Sequence, residues 1–272
     1  MMTTSKSTEL ELARTIEADV FSKSSKLLVD DLDYIDQIAA LYADIQRHYT
    51  DYGSITSSLT AEQAVFLQSV LTCRHQFVVG ILTLLRGHHG DSFGYLRKSA
   101  EFTLFAARVL EKEGTAIKWL NAGSGPTYWN DYKDSFKINN MTHTNFERRE
   151  KEWVNLVKDL PKLNIIIDQI YEESSKRLHA TVLASGPVSG ENGLEFSDSY
   201  VDLFTIEEPQ RLIEPYFFVL WRHLDMLDVH SRVLLKQSGV GFNEAVWLAK
   251  FDPLERKINE RLSWWRENLQ RT

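Results

Sequence analysis

Phe77-Val78-Val79-Gly80-Ile81-Leu82-Thr83-Leu84-Leu85 is a run with a single polar side chain, and the fold class follows from what surrounds it. Upstream, the Thr60 hydroxyl can accept from an unpaired N–H of a first helical turn, and Gln63 follows at capping-box spacing. Between them and the run, Val65, Phe66, Leu67, Val70 and Leu71 leave little polar circumference. Such a helix has to be covered by neighbours on most sides. A bilayer span needs about 20 apolar residues. Arg74, His75 and Arg86 bracket a shorter stretch, so a core helix is expected and not a membrane span.

The turn Gly87-His88-His89-Gly90-Asp91 leads into a second helix over 91–112. Leu96, Ala100 and Ala107 mark the middle of its apolar arc, while Arg97, Glu101 and Arg108 fall on one stripe. Arg97 and Glu101, four apart, suit an ion pair. That pair is either a solvated bridge of small value or one turned inward to organise a polar pocket. Fold class follows: all-α, a multi-helix bundle around this central antiparallel pair, with 1–272 as a single helical domain.

Other helices are expected from hydrophobic spacing. A modest one through Leu10, Ala13, Ile16 and Val20 should end at Ser22-Lys23-Ser24-Ser25. A stronger one, 31–49, carries Ile35, Ile38, Ala39, Tyr42 and Ile45 and should break at Asp51-Tyr52-Gly53-Ser54. A short helix passes through Ile117, Trp119 and Leu120, and a longer one covers 163–183. A long helix over 209–237 contains Pro215, and two last helices cover 243–250 and 253–270. Residues 1–8 should fray, and 184–206 is a long loop that holds a small β-hairpin or none. Trp264 sits off the apolar stripe of the final helix, a candidate for contact with the body or a partner chain.

The 272 residues suffice for a sizeable core, and a formal charge of −7 argues against broad nucleic-acid binding through phosphate contacts. One cysteine, Cys73, precludes an intrachain disulfide and fits a reducing compartment. With no apolar leader within residues 1–14, cytoplasm is the expected location.

Chemistry-bearing residues are few. In the 209–237 helix, His223 and His230 fall near the middle of the apolar face of Tyr216, Val219, Leu220, Met226, Leu227, Val233 and Leu234. Arg222, Asp225, Arg232 and Lys236 take the opposite side. The two imidazoles are either satisfied core histidines or members of a polar site with Glu101, Asp168 or His179. Asp168, Ser175 and His179 lie along one edge of the 163–183 helix. None of the eight histidines follows a glutamate by three residues, and His-Glu-x-x-His is absent, so no metal is expected. No Gly-x-Ser-x-Gly elbow occurs, and Cys73 lies mid-helix, so neither supports a nucleophile.

The segment from Leu84-Leu85-Arg86 through Leu96-Arg97-Lys98-Ser99-Ala100-Glu101 resembles the Leu-x-Arg-Ser-x-x-Glu helix of a large bacterial family of all-helical proteins of unknown function. Ser175-Lys176-Arg177-Leu178-His179-Ala180-Thr181 is similar to that family's later Ser-x-x-x-His element. The resemblance covers about residues 60–185 and implies Arg97, Glu101 and His179 as the candidate catalytic positions. More distantly, the chain resembles HEPN-type and abortive-infection helical bundles, several of which are RNases. Their Arg-then-His spacing of four to six residues is missing here, so the resemblance implies the bundle and a link to defence systems, not the RNase activity. A non-catalytic regulatory or protein-interaction module is therefore expected, with self-association or a protein partner and no cofactor. The alternatives are a HEPN-like hydrolase of RNA or nucleotide, and a small-molecule binder under the 184–206 loop.

Overall fold

The computed structural model describes residues 8–56, 59–111, 114–121, 160, 162–166, 169, 188–190, 193–195, 209–236 and 241–269. Among the described residues, long helices are α1 (Glu9–Leu27), α2 (Asp33–Thr56), α3 (Ala61–Leu85), α4 (His89–Glu111) and, near the C-terminal end, α7 (Gln210–Leu235). A sixth, α8 (Glu244–Leu269), completes the set; α5 (Thr115–Asn121) and α6 (Lys162–Ile165) are short. Val188–Gly190 (β1) and Gly193–Glu195 (β2) pair antiparallel as a small hairpin. The protein is all-α in class, as the spacing predicts.

The central pair forms for local reasons. Gln63 N donates to Thr60 Oγ1 at 3.2 Å, and Thr60 N donates to Gln63 Oε1 at 3.0 Å, closing the capping box that starts α3. At the far end, Gly87 N bonds Leu84 O and His88 N bonds Thr83 O, the paired bonds of a Schellman turn. Gly87 takes φ 88°, a left-handed value that a side chain would strain. The chain then doubles back, and α3 and α4 share the most extensive interface of the described residues. A Cβ added to Gly80 would lie 3.1 Å from Tyr95 Cβ, so the missing side chain sets how closely the two helices approach. By length and composition α3 would suffice to cross a membrane; here half of its most apolar window is buried inside the bundle.

Three helix limits differ from the spacing. α1 continues through the serine cluster to Leu27, with Ser24 buried. α2 continues through Gly53 to Thr56. One helix, α8, replaces the two expected around Pro253. Proline removes one N–H and crowds the preceding turn, but Trp247 and Phe251 before it and Leu254 and Ile258 after it are all buried on one face. Continuous packing holds the two halves in line.

The most enclosed helix is α7, which packs against α2, α3 and α4 and also against α6 and α8. Every residue from Arg222 through Ser231 is buried, so the side bearing Arg222 and Asp225 is covered as fully as the apolar face. Over that stretch the helix is wrapped all round and buries Arg222, Asp225 and Asp228, while Glu214 and Arg232 outside it stay about half exposed.

Candidate functional site

Arg97 and Glu101 meet as their spacing predicts: Arg97 Nε donates to Glu101 Oε1 at 3.2 Å. Their side chains are 22% and 30% exposed, between the solvated and the enclosed alternatives. Burial pushes the Glu101 carboxyl above its ordinary range, against the pull of the Arg97 charge. His179, Asp168 and Ser175 lie outside the described residues.

The two α7 histidines sit in the core. Tyr42 of α2 and His223 share a hydrogen bond, hydroxyl to Nδ1, at 2.9 Å. The Phe77 ring centre lies 4.6 Å from the His223 ring, and Tyr42 and Phe66 meet the His230 ring edge-on. Neither nitrogen of His230 has a hydrogen-bond partner among the described residues. Burial pushes the pKa of both imidazoles down to about 3, and the mutual repulsion of the two charges adds to the effect at His223. Both rings are neutral and walled by aromatic carbon. Both lie inside the core.

A second polar centre has no local sequence signal. Asp31, in the turn between α1 and α2, is fully buried. Its Oδ1 accepts from Arg261 Nε at 2.6 Å; its Oδ2 accepts from Arg261 Nη2 at 3.2 Å and from Trp265 Nε1 at 2.9 Å. Its main-chain carbonyl accepts from the Tyr216 hydroxyl at 2.7 Å. One acidic residue thus joins the first turn of the chain to α7 and α8. On the outer side, the Arg261 guanidinium carbon lies 4.2 Å from the Trp264 ring centre, and Trp264 remains 45% exposed.

The third centre is the covered side of α7. Asp225 lies 3.1 Å from Arg222 Nη1 and 3.3 Å from Lys162 Nζ, and Lys162 also reaches Glu255 at 2.9 Å. Burial pushes the Asp225 carboxyl up despite these cations, and it pulls the Arg222 guanidinium down. Nearby, Arg232 Nε donates to Asp228 Oδ2 at 2.9 Å.

An open cleft of about 380 Å³ between α3 and α4 is lined by Gln76, Thr83, His88, Asp91, Gly94, Tyr95 and Lys98. Gln76 Oε1 is buried there with no hydrogen-bond partner among the described residues, while His88 Nε2 is 3.1 Å from Glu17 Oε1. Among the described residues no three His, Cys, Asp or Glu side chains gather as metal ligands would. The Cys73 thiol donates to the Ser99 carbonyl at 3.3 Å, and burial pushes its pKa up to about 12, which leaves no nucleophilic thiolate.

Comparison with family models, with curated proteins and with solved structures returns no match in any of the three.

Proposed function

We propose that this protein is a non-catalytic regulatory module that works by contact with another protein chain, through the face of α8 around Trp264. The observation that carries this is the fixed exposure of that indole. Arg261 lies against the Trp264 ring, and Arg261 itself is held by the fully buried Asp31. Trp264 and Trp265 also meet edge-on, with ring centres 5.0 Å apart. Tryptophan and arginine dominate the energetics of protein interfaces, and a side chain already held in place loses less freedom on binding. Supporting the same reading, His223, His230 and Cys73 are buried among core groups.

The partner to test first is a second copy of the chain. Sedimentation across a concentration series should show a dimer for the wild-type chain and a monomer for Trp264→Ala with unchanged helicity. A wild-type monomer throughout, or a dimer indifferent to Trp264→Ala, would overturn self-association through this face.

One observation favours a second reading, a hydrolase of RNA or nucleotide built on Arg97, Glu101 and His179. Burial raises the Glu101 carboxyl above its ordinary range, and Arg97 lies beside it in the position of a phosphate holder. Cleavage of short RNAs or nucleotides by the wild-type chain, lost in Glu101→Gln, is its test.

A further inference from the structure

The cleft between α3 and α4 contains a polar group that the fold leaves unanswered. Gln76, which lines it, is 7% exposed, and its Oε1 is buried with no hydrogen-bond partner among the described residues. A buried acceptor without a donor costs about 1–3 kcal/mol. The register of the two helices fixes where along the cleft this group lies. Gly80 faces Tyr95 and the Cys73 thiol meets the Ser99 carbonyl, so Gln76 stands level with Lys98. Thr83, His88 and Asp91 form the other end, beside the Gly87 turn, with Tyr95 between the two.

The ends differ in charge. Beside Gln76 the lining charge is the Lys98 ammonium; near the turn it is the Asp91 carboxylate, with Glu17 of α1 close by at His88. Asp91 and Lys98 are both exposed, and neither is held in an ion pair among the described residues. Seven positions apart on α4, they are separated by about 10 Å along the axis. At the turn the end of α3 meets the start of α4, so the partial charges of the two helix ends offset each other and leave the carboxylates to set the sign. The cleft thus offers a cation and an orphan neutral acceptor at one end and an anion at the other.

We propose that this cleft binds a free α-amino acid with a basic side chain. The ligand carboxylate meets Lys98, the α-ammonium donates to Gln76 Oε1, and the side chain runs past Tyr95 to place its cation against Asp91. Simpler ligands answer only part of this lining. A plain carboxylate brings no donor to Gln76. A diamine sets a like charge beside Lys98, and an amino acid with a short or apolar side chain leaves Asp91 without a counter-charge. Asp91 and Glu17 against Lys98 leave one negative charge over, which the single net positive charge of the ligand balances. At about 380 Å³ the cleft lies within the range of small-molecule sites, and an extended lysine or arginine fits inside it. None of its residues belongs to the α8 face, so the two readings stand or fall separately.

Isothermal titration calorimetry of the full chain with L-arginine and L-lysine over the millimolar range tests the site. Three analogues serve as comparison arms: L-citrulline lacks the side-chain cation, agmatine lacks the carboxylate, and deamino-arginine lacks the α-ammonium. The expected result is saturable one-site binding of arginine or lysine, with each matching analogue weaker by about tenfold or more. Asp91 is exposed, so Asp91→Asn should fold; it should weaken arginine by about tenfold and leave citrulline unchanged. No saturable heat, citrulline as tight as arginine, or arginine binding unaltered in Asp91→Asn would overturn the site. Agmatine as tight as arginine would overturn the pairing of the carboxylate with Lys98, and deamino-arginine as tight would overturn the donation to Gln76.

Discussion

The Tyr42 hydroxyl and His223 Nδ1 lie 2.9 Å apart although 181 positions separate them in the chain, and this is the hydrogen bond that His223 makes inside the core. It fixes α2 against α7 beside the Phe77 ring. Tyr42→Phe keeps the shape and removes the hydroxyl. The expected cost is about 1–3 kcal/mol, because an imidazole nitrogen is then left buried without a partner. Urea unfolding of the two proteins measures it; a difference near zero would mean that His223 finds another partner.

His230 is the opposite case. Neither of its nitrogens is paired among the described residues, so His230→Leu removes polar atoms that make no hydrogen bond there. A gain of about 1 kcal/mol is expected, less whatever the lost edge contacts with Tyr42 and Phe66 were worth. A loss of stability on the same urea curves would show that the imidazole has a bonded role.

The two histidines also set an acid limit. Folded, each titrates near 3; unfolded, each returns to about 6.5. Below about pH 6.5 the unfolded chain takes up protons that the folded chain refuses, so stability falls as pH falls through that window. At pH 5 the loss amounts to about 2 kcal/mol per imidazole relative to neutral pH. The slope of unfolding free energy against pH should become shallower in His230→Leu, and an unchanged slope would assign the acid sensitivity to other groups.

Asp31→Ala strands Arg261 and the Trp265 N–H at a fully buried position. A destabilisation of about 2–4 kcal/mol is expected, toward the lower end because Arg261 is 23% exposed and can partly rehydrate. Thermal unfolding by circular dichroism reads it, and a shift of less than a degree or so would show the clamp to be ornamental.

Cys73 gives a cheap check of the core. A thiol held near pKa 12 inside a helix pair should resist a thiol reagent at neutral pH until the chain is unfolded in denaturant. Prompt modification of the native protein would mean that α3 and α4 separate readily.

What the sequence made legible was local. The capping box at Thr60 and Gln63, the Gly87 turn and the Arg97–Glu101 spacing depend on neighbours within a few residues, and each forms as expected. The burial of His223 and His230 also follows from helical periodicity. Breaker residues misled where tertiary packing outweighed them: Gly53 lies within α2, and Pro253 within α8. Periodicity sets Arg222 and Asp225 opposite the apolar face of α7, which shows that the helix has two sides, not that both are covered. Asp31 with Arg261 and Trp265 left no pattern at all, since separations of 230 and 234 residues carry no periodic signal.

The Asp31 clamp also bears on how the chain matures. Synthesis proceeds from the N-terminus, so the α1–α2 turn leaves the ribosome long before Arg261 and Trp265 exist. Until they emerge, the Asp31 carboxylate has to stay hydrated, and the hydrophobic pocket around it has to stay ajar. Final consolidation of the α1–α2 turn is thereby expected only once the last helix has been made.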